Sequence, residues 1–185
     1  MKALLAAVLL SLAAGAAWAA APAWRVDPAA SSIHFASSFS GTSFGGRFSR
    51  WSADIHFDPA DLAASSVTIS IDTASAASGD ADRDQALPTT TFLDVAQFPK
   101  AVFAARRFRA LGGGRYVAEG LLTLRGVTRP LSLPFTLVVH GDRARMTGQA
   151  SLDRLLFGVG QDQWRSTEII PAKVEVSVVV SARRG

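Results

Sequence analysis

From residue 24 onward the chain alternates apolar and polar residues with a period of two, the spacing of strands that bury one face and wet the other. Val67, Ile69 and Ile71 alternate with Thr68, Ser70 and Asp72, and Leu131, Leu133, Phe135, Leu137 and Val139 alternate with Ser132, Pro134, Thr136 and, less neatly, Val138. Ala144, Met146, Gly148, Ala150 and Leu152 oppose Arg143, Arg145, Thr147, Gln149 and Ser151, and Val174, Val176, Val178 and Val180 oppose Lys173, Glu175 and Ser177. Less regular strand patterns run from Ser32 to Phe39, Arg47 to Phe57, Ala101 to Ala110 and Arg115 to Leu124. The pattern predicts about eight strands.

Turn chemistry separates these segments at Gly41 to Gly46, Asp58-Pro59, Gly112-Gly113-Gly114, Gly126 to Pro130 and Gly141-Asp142. Most links are of hairpin length, which argues for antiparallel pairing. The long insertion is Asp72 to Lys100, within which Gly79 to Leu87 reads as a short capped helix. Eight strands with one apolar side can hide their edges by closing into a barrel; a two-sheet sandwich meets the same pattern.

The first residues differ. Ala3 to Leu12 form an apolar run too short to span a bilayer, and Ala17-Trp18-Ala19 offers a small-x-small cleavage site. Residues 1–19 therefore read as a signal peptide and residues 20–185 as one domain, which places the mature protein in the periplasm with no stable membrane insertion. Without Lys2, 18 of the 19 basic residues remain against 15 acidic ones, a net +3. Sixteen arginines spread along the chain are not a nucleic-acid footprint, so no nucleic-acid partner is expected. The chain has no cysteine, which excludes disulfides, thiolate nucleophiles and sulfur metal sites. An outer-membrane barrel is also a poor fit, because Arg143, Arg145 and Gln149 occupy an outward phase that would face lipid.

Candidate chemistry is sparse. His34, His56 and His140 fall on separate strands without metal-ligand spacing, no Gly-x-Ser-x-Gly occurs, and Gly112-Gly113-Gly114 leads into a strand, not a phosphate-binding helix. No catalytic residue, metal or cofactor is expected. Asp80, Asp82 and Asp84 read as a helix-start cluster. Ala101 to Ala110, with Arg106, Arg107 and Arg109, reads as an edge strand protected by charge. Eleven Phe against one Tyr supply apolar filler without a polar handle, suited to a packed core or to an apolar pocket.

In order along the chain, Trp24-Arg25-Val26-Asp27, Ser32-Ile33-His34-Phe35, Gly46-Arg47-Phe48, Phe57-Asp58-Pro59 and Ile69-Ser70-Ile71-Asp72 resemble the YceI family of exported, lipocalin-like proteins. Arg83-Asp84, Leu87, Phe92, Asp94, Phe98-Pro99 and Phe103 continue the resemblance, and Gly120 to Thr128 and Phe157-Gly158-Val159-Gly160 are its most specific phrases. Where the family often has His-Leu after the Arg-Asp pair, this chain has Gln85-Ala86-Leu87, so no role for that histidine carries over. The resemblance implies an extended antiparallel eight-stranded lipocalin-like barrel with a short helical insertion. It also implies an apolar lumen for a polyisoprenoid, an isoprenoid quinone or a fatty amide, and no catalysis.

On that reading Phe35, Phe48, Phe103, Phe135, Met146 and Phe157 line the lumen, Phe92 and Phe98 close one end, and Arg83 or Arg154 meets a polar head group. The implied partners are the lipid itself and, by the family's associations, a b-type cytochrome; a homodimer is left open. The rival functions are an envelope accessory protein acting through protein contacts and a lipid-modifying enzyme.

Overall fold

The computed structural model describes residues 21–185, and the leader read at residues 1–19 lies outside them. Eleven antiparallel strands form one sheet: β1 (Trp24–Val26), β2 (Ser32–Phe39), β3 (Thr42–Phe48), β4 (Trp51–His56), β5 (Ser66–Asp72), β6 (Ala76–Ala77), β7 (Lys100–Gly112), β8 (Arg115–Leu124), β9 (Val127–His140), β10 (Arg143–Asp153) and β11 (Lys173–Arg184). The hydrogen-bonded path runs β4-β5-β7-β8-β9-β10-β11-β2-β3-β6, with β1 added on β11. That path is open, yet β6 follows β5 after the three-residue turn Thr73–Ser75. The sheet therefore curls until its two ends meet, which leaves one apolar face inside.

The strand count exceeds the eight expected, for identifiable reasons. Arg47 to Phe57 is two strands, broken at Ser49-Arg50, and β1 and β6 are too short to show a period. The segment read as a turn from Gly41 to Gly46 is mostly strand: only Ser40 and Gly41, with φ of 48° and 80°, turn the chain. Gly46 is there for space, because a Cβ on it would run into the Phe35 ring across the pair.

The arginine-rich segment is also no edge strand. β7 lies between β5 and β8, and Glu119 on β8 sits within 4 Å of both Arg107 and Arg109. By simple alternation Arg107 and Arg109 would share the inward phase of Ala101, Phe103 and Ala105. A bulge between Ala105 and Arg107 inserts Arg106, turning both arginines outward and Phe108 inward.

The ends of the curled sheet differ. One end holds the Gly112–Gly114 and Gly141–Asp142 turns and is filled by aromatic rings. Phe57, 5 % exposed, meets Phe108, Tyr116 and Phe135 edge-on at centroid distances of 5.2, 5.6 and 5.9 Å, and Trp24 Nε1 donates to Phe57 O at 2.9 Å. The other end carries the Ser40-Gly41 turn, the insertion between β5 and β7, the Arg125-Gly126 turn and the long loop between β10 and β11. Backbone bonds tie these together: Ser40 N–H donates to Ile169 O at 2.8 Å, and the Gly160 and Gln161 N–H groups both donate to Thr91 O at 2.9 Å. The helix α1 (Ala81–Ala86) lies in this insertion, capped by Asp80, whose side chain accepts from Arg83 N–H.

Candidate functional site

The looped end of the sheet encloses a cavity of about 650 Å³. Its walls follow the strand periodicity, with Ile33, Phe35, Ser37 and Phe39 from β2, Leu131 and Leu133 from β9, Ala150 and Leu152 from β10, and Val174, Val176 and Val178 from β11. The same inward rows then continue into the plug, where a second, 70 Å³ space is lined by Phe135, Leu137, Ala144, Met146, Val180 and Ala182. Ile69, Phe103 and Leu133 border both spaces and separate them.

Of the residues expected from sequence to form the site, Phe35, Phe48, Phe92, Phe103, Arg83 and Arg154 border the large cavity. Phe35 and Phe48 touch each other with ring centroids 5.4 Å apart. Phe135 and Met146 lie in the plug instead. Phe98 and Phe157 border neither space: Phe98 packs across Gly126, where a Cβ would come within 2.6 Å of its ring, and Phe157 is buried in the core. Sequence reasoning missed Phe39, Phe44 and Trp164. Phe39 lies 41 % exposed at the rim with its ring 6.1 Å from Trp164, which in turn meets Phe92 at 6.0 Å. Phe39 was signalled by the inward phase of β2, but Trp164 sits in a loop that has no period to read.

Polar groups are few and confined to the looped end. Arg83 lies with its guanidinium carbon 4.6 Å over the Phe44 ring, donates from Nε to Ser78 Oγ at 3.2 Å, and reaches Asp80 at 3.5 Å. Arg154, 3 % exposed, is held by backbone carbonyls: Nε donates to Pro171 O, Nη1 to Val159 O, and Nη2 to Ser166 O and Ile170 O, at 2.8 to 3.3 Å. Burial pushes its pKa down, and the neighbouring Asp153 charge partly opposes this. Among the described residues no cluster of three His, Cys, Asp or Glu side chains is placed to hold a metal, and no helix is long and apolar enough to cross a membrane.

Asp84 anchors α1 by accepting from Ser78 N–H at 2.6 Å, Ser78 Oγ at 2.7 Å and Gly79 N–H at 3.2 Å. The Ser78 bonds hold its carboxyl below the ordinary 3.8. Because the folded value is the depressed one, this anchor is intact above pH 3.8 and is lost as the pH falls through the lowered value. In an NMR titration the Ser78 and Gly79 amide shifts should move with a midpoint below 3.8; a midpoint at or above it would contradict the anchor.

The curled antiparallel sheet that holds this cavity is shared with proteins of solved structure. A YceI-like domain is matched by residues 24–182. The chain belongs to the YceI family. A UPF0312 protein of Shewanella oneidensis is 34% identical over 145 residues, spanning 75% of this chain and 74% of the relative. The BcnA crystal structure from Burkholderia cenocepacia is similar with a TM-score of 0.82 and 29% identity, covering 85% of this chain and 99% of BcnA. A polyisoprenoid binding domain from Saccharophagus degradans, implicated in plant cell wall breakdown, shares the fold at a TM-score of 0.71 and 17% identity, over 89% of this chain and 99% of that one. The YceI fold thus supplies this chain with a hollow whose walls are built by strand alternation and whose rim is built by loops.

Proposed function

We propose that this YceI protein is a periplasmic carrier that binds a long apolar lipid, a polyisoprenoid, isoprenoid quinone or fatty amide, inside its lumen. The observation that carries the reading is the 650 Å³ cavity: apolar along its walls, closed by the plug at one end, and reaching the surface beside α1, where exposed Asp82 and Phe39 border it. Each 100 Å² of tail surface taken from water stabilises the complex by about 2.5 kcal/mol, so an elongated chain binds without any polar contact. The Saccharophagus degradans neighbour, described as a polyisoprenoid binding domain, supports this ligand class. The leader-like residues 1–19 support export, and a soluble hollow carrier gives a long lipid a path through an aqueous compartment. Binding is the reading the lining supports, since among the described residues it is almost wholly apolar, with Ser37 as its hydroxyl.

Mass spectrometry of gently purified protein should reveal a co-purifying lipid. Ala150, buried on the lumen wall, is the place to block it. Ala150→Trp projects its ring into empty space, so the fold survives, while displacement of about 60 Å² of tail surface weakens binding about tenfold. Val176→Phe on the neighbouring strand should act in the same direction. Undiminished lipid retention in both folded variants would remove the lumen from consideration.

A further inference from the structure

Ser37 faces inward on β2, directly opposite Phe44 on β3, and the Arg83 guanidinium lies on that same Phe44 ring. The hydroxyl and the guanidinium are thus brought to one wall near the rim. The Ser37 Oγ is buried and has no hydrogen-bond partner, an arrangement that costs free energy until something supplies one.

The charged groups bordering the cavity are Asp80, Asp82, Arg83 and Arg154, and they sum to zero. Arg83 is already held by Ser78 and Asp80, and Arg154 by four backbone carbonyls. A phosphate head, carrying more than one negative charge near neutrality, would meet no spare cation and would sit beside two carboxylates. An uncharged oxygen meets neither obstacle, and the Ser37 hydroxyl can both donate to it and accept from it.

We infer that the lumen selects lipids whose head is an uncharged oxygen group, a quinone carbonyl or an alcohol or phenol hydroxyl, seated at the Ser37 hydroxyl, and that it discriminates against the phosphate of the same lipid. The inference rests on the lumen-binding reading above and goes on to name the head chemistry.

The test compares three probes on the delipidated mature chain: a polyprenol, its monophosphate of equal length, and squalene as a headless tail. The polyprenol should bind at least about tenfold more tightly than the phosphate. Ser37→Ala should weaken polyprenol binding about three- to tenfold and leave squalene unchanged. Asp82→Asn should narrow the gap between alcohol and phosphate. A phosphate that binds as tightly as the alcohol, or a Ser37→Ala variant that changes alcohol and squalene alike, overturns the inference while leaving lumen binding in place. Failure of all three probes, squalene included, overturns lumen binding and the inference with it.

Discussion

Replacing Arg154 with leucine is expected to lower the stability of the folded protein by about 4 kcal/mol, because the leucine would take the shared donor from four partly buried carbonyls. All four, at Val159, Ser166, Ile170 and Pro171, now accept from one guanidinium that is 3 % exposed. No single water or lysine ammonium spans those directions, since an ammonium has three donors and a guanidinium five, fixed in a plane. The surrounding chain is shaped to this side chain: any Cβ at Gly160 would collide with the Arg154 Nη1, and Gly160 holds φ at 86°. Arg154 thus organises the loop between β10 and β11, which carries Trp164 and forms one side of the rim. A thermal melt should show the midpoint falling by about 10 °C for a chain of this size. Arg154→Lys should recover less than half of the loss. A change below about 1 kcal/mol in the leucine variant would mean that the loop satisfies its own carbonyls by another route.

That role was not legible in the sequence, where Arg154 reads as a cation near an apolar pocket and invites assignment to a ligand head group. Its burial and its four acceptors depend on how residues 158–171 fold back over it, and no local pattern encodes that. The strands are the opposite case. β9, β10 and β11 alternate cleanly over Leu131–Leu137, Ala144–Leu152 and Val174–Val178, so their inward rows follow from period. Where a backbone irregularity intervenes, period misleads. The bulge at Arg106 reverses the phase of β7, and Gly45-Gly46, which look like a turn, lie inside β3, where Gly46 leaves room for the Phe35 ring.

Period also fails to say where a lumen stops. Phe35 and Phe135 sit on equally inward phases of their strands, yet the first borders the cavity and the second belongs to the plug. What divides them is position along the strand, and hence distance from the end where Trp24, Phe57, Phe108 and Tyr116 collect. That collection is a product of tertiary structure. Eight strands, β1, β4, β5 and β7 to β11, each contribute a ring or an aliphatic side chain, and their convergence becomes visible only once the sheet is curled.

The division can be moved by one substitution. Phe103, 6 % exposed, stands with Ile69 and Leu133 between the 650 Å³ cavity and the 70 Å³ space, and its ring lies 2.7 Å from where a Cβ on Gly120 would be. Phe103→Ala should cost about 3–5 kcal/mol, the usual range for deleting a core phenylalanine whose surroundings collapse only in part. Gly120 and Ala105 offer no side chain that could fill the gap, so collapse is limited and the two spaces should join. A ligand tail entering the enlarged lumen would then restore contacts that the ring had made, and binding to the folded state alone would return stability in proportion to lipid concentration. Melting curves across a series of polyprenols of increasing length should therefore separate the two proteins. The native chain should reach its maximum stabilisation at a shorter tail, and the variant should continue to gain with added isoprene units. An unchanged length optimum in a folded Phe103→Ala protein would show that the plug, and not the Ile69–Phe103–Leu133 partition, sets how deep a tail can go.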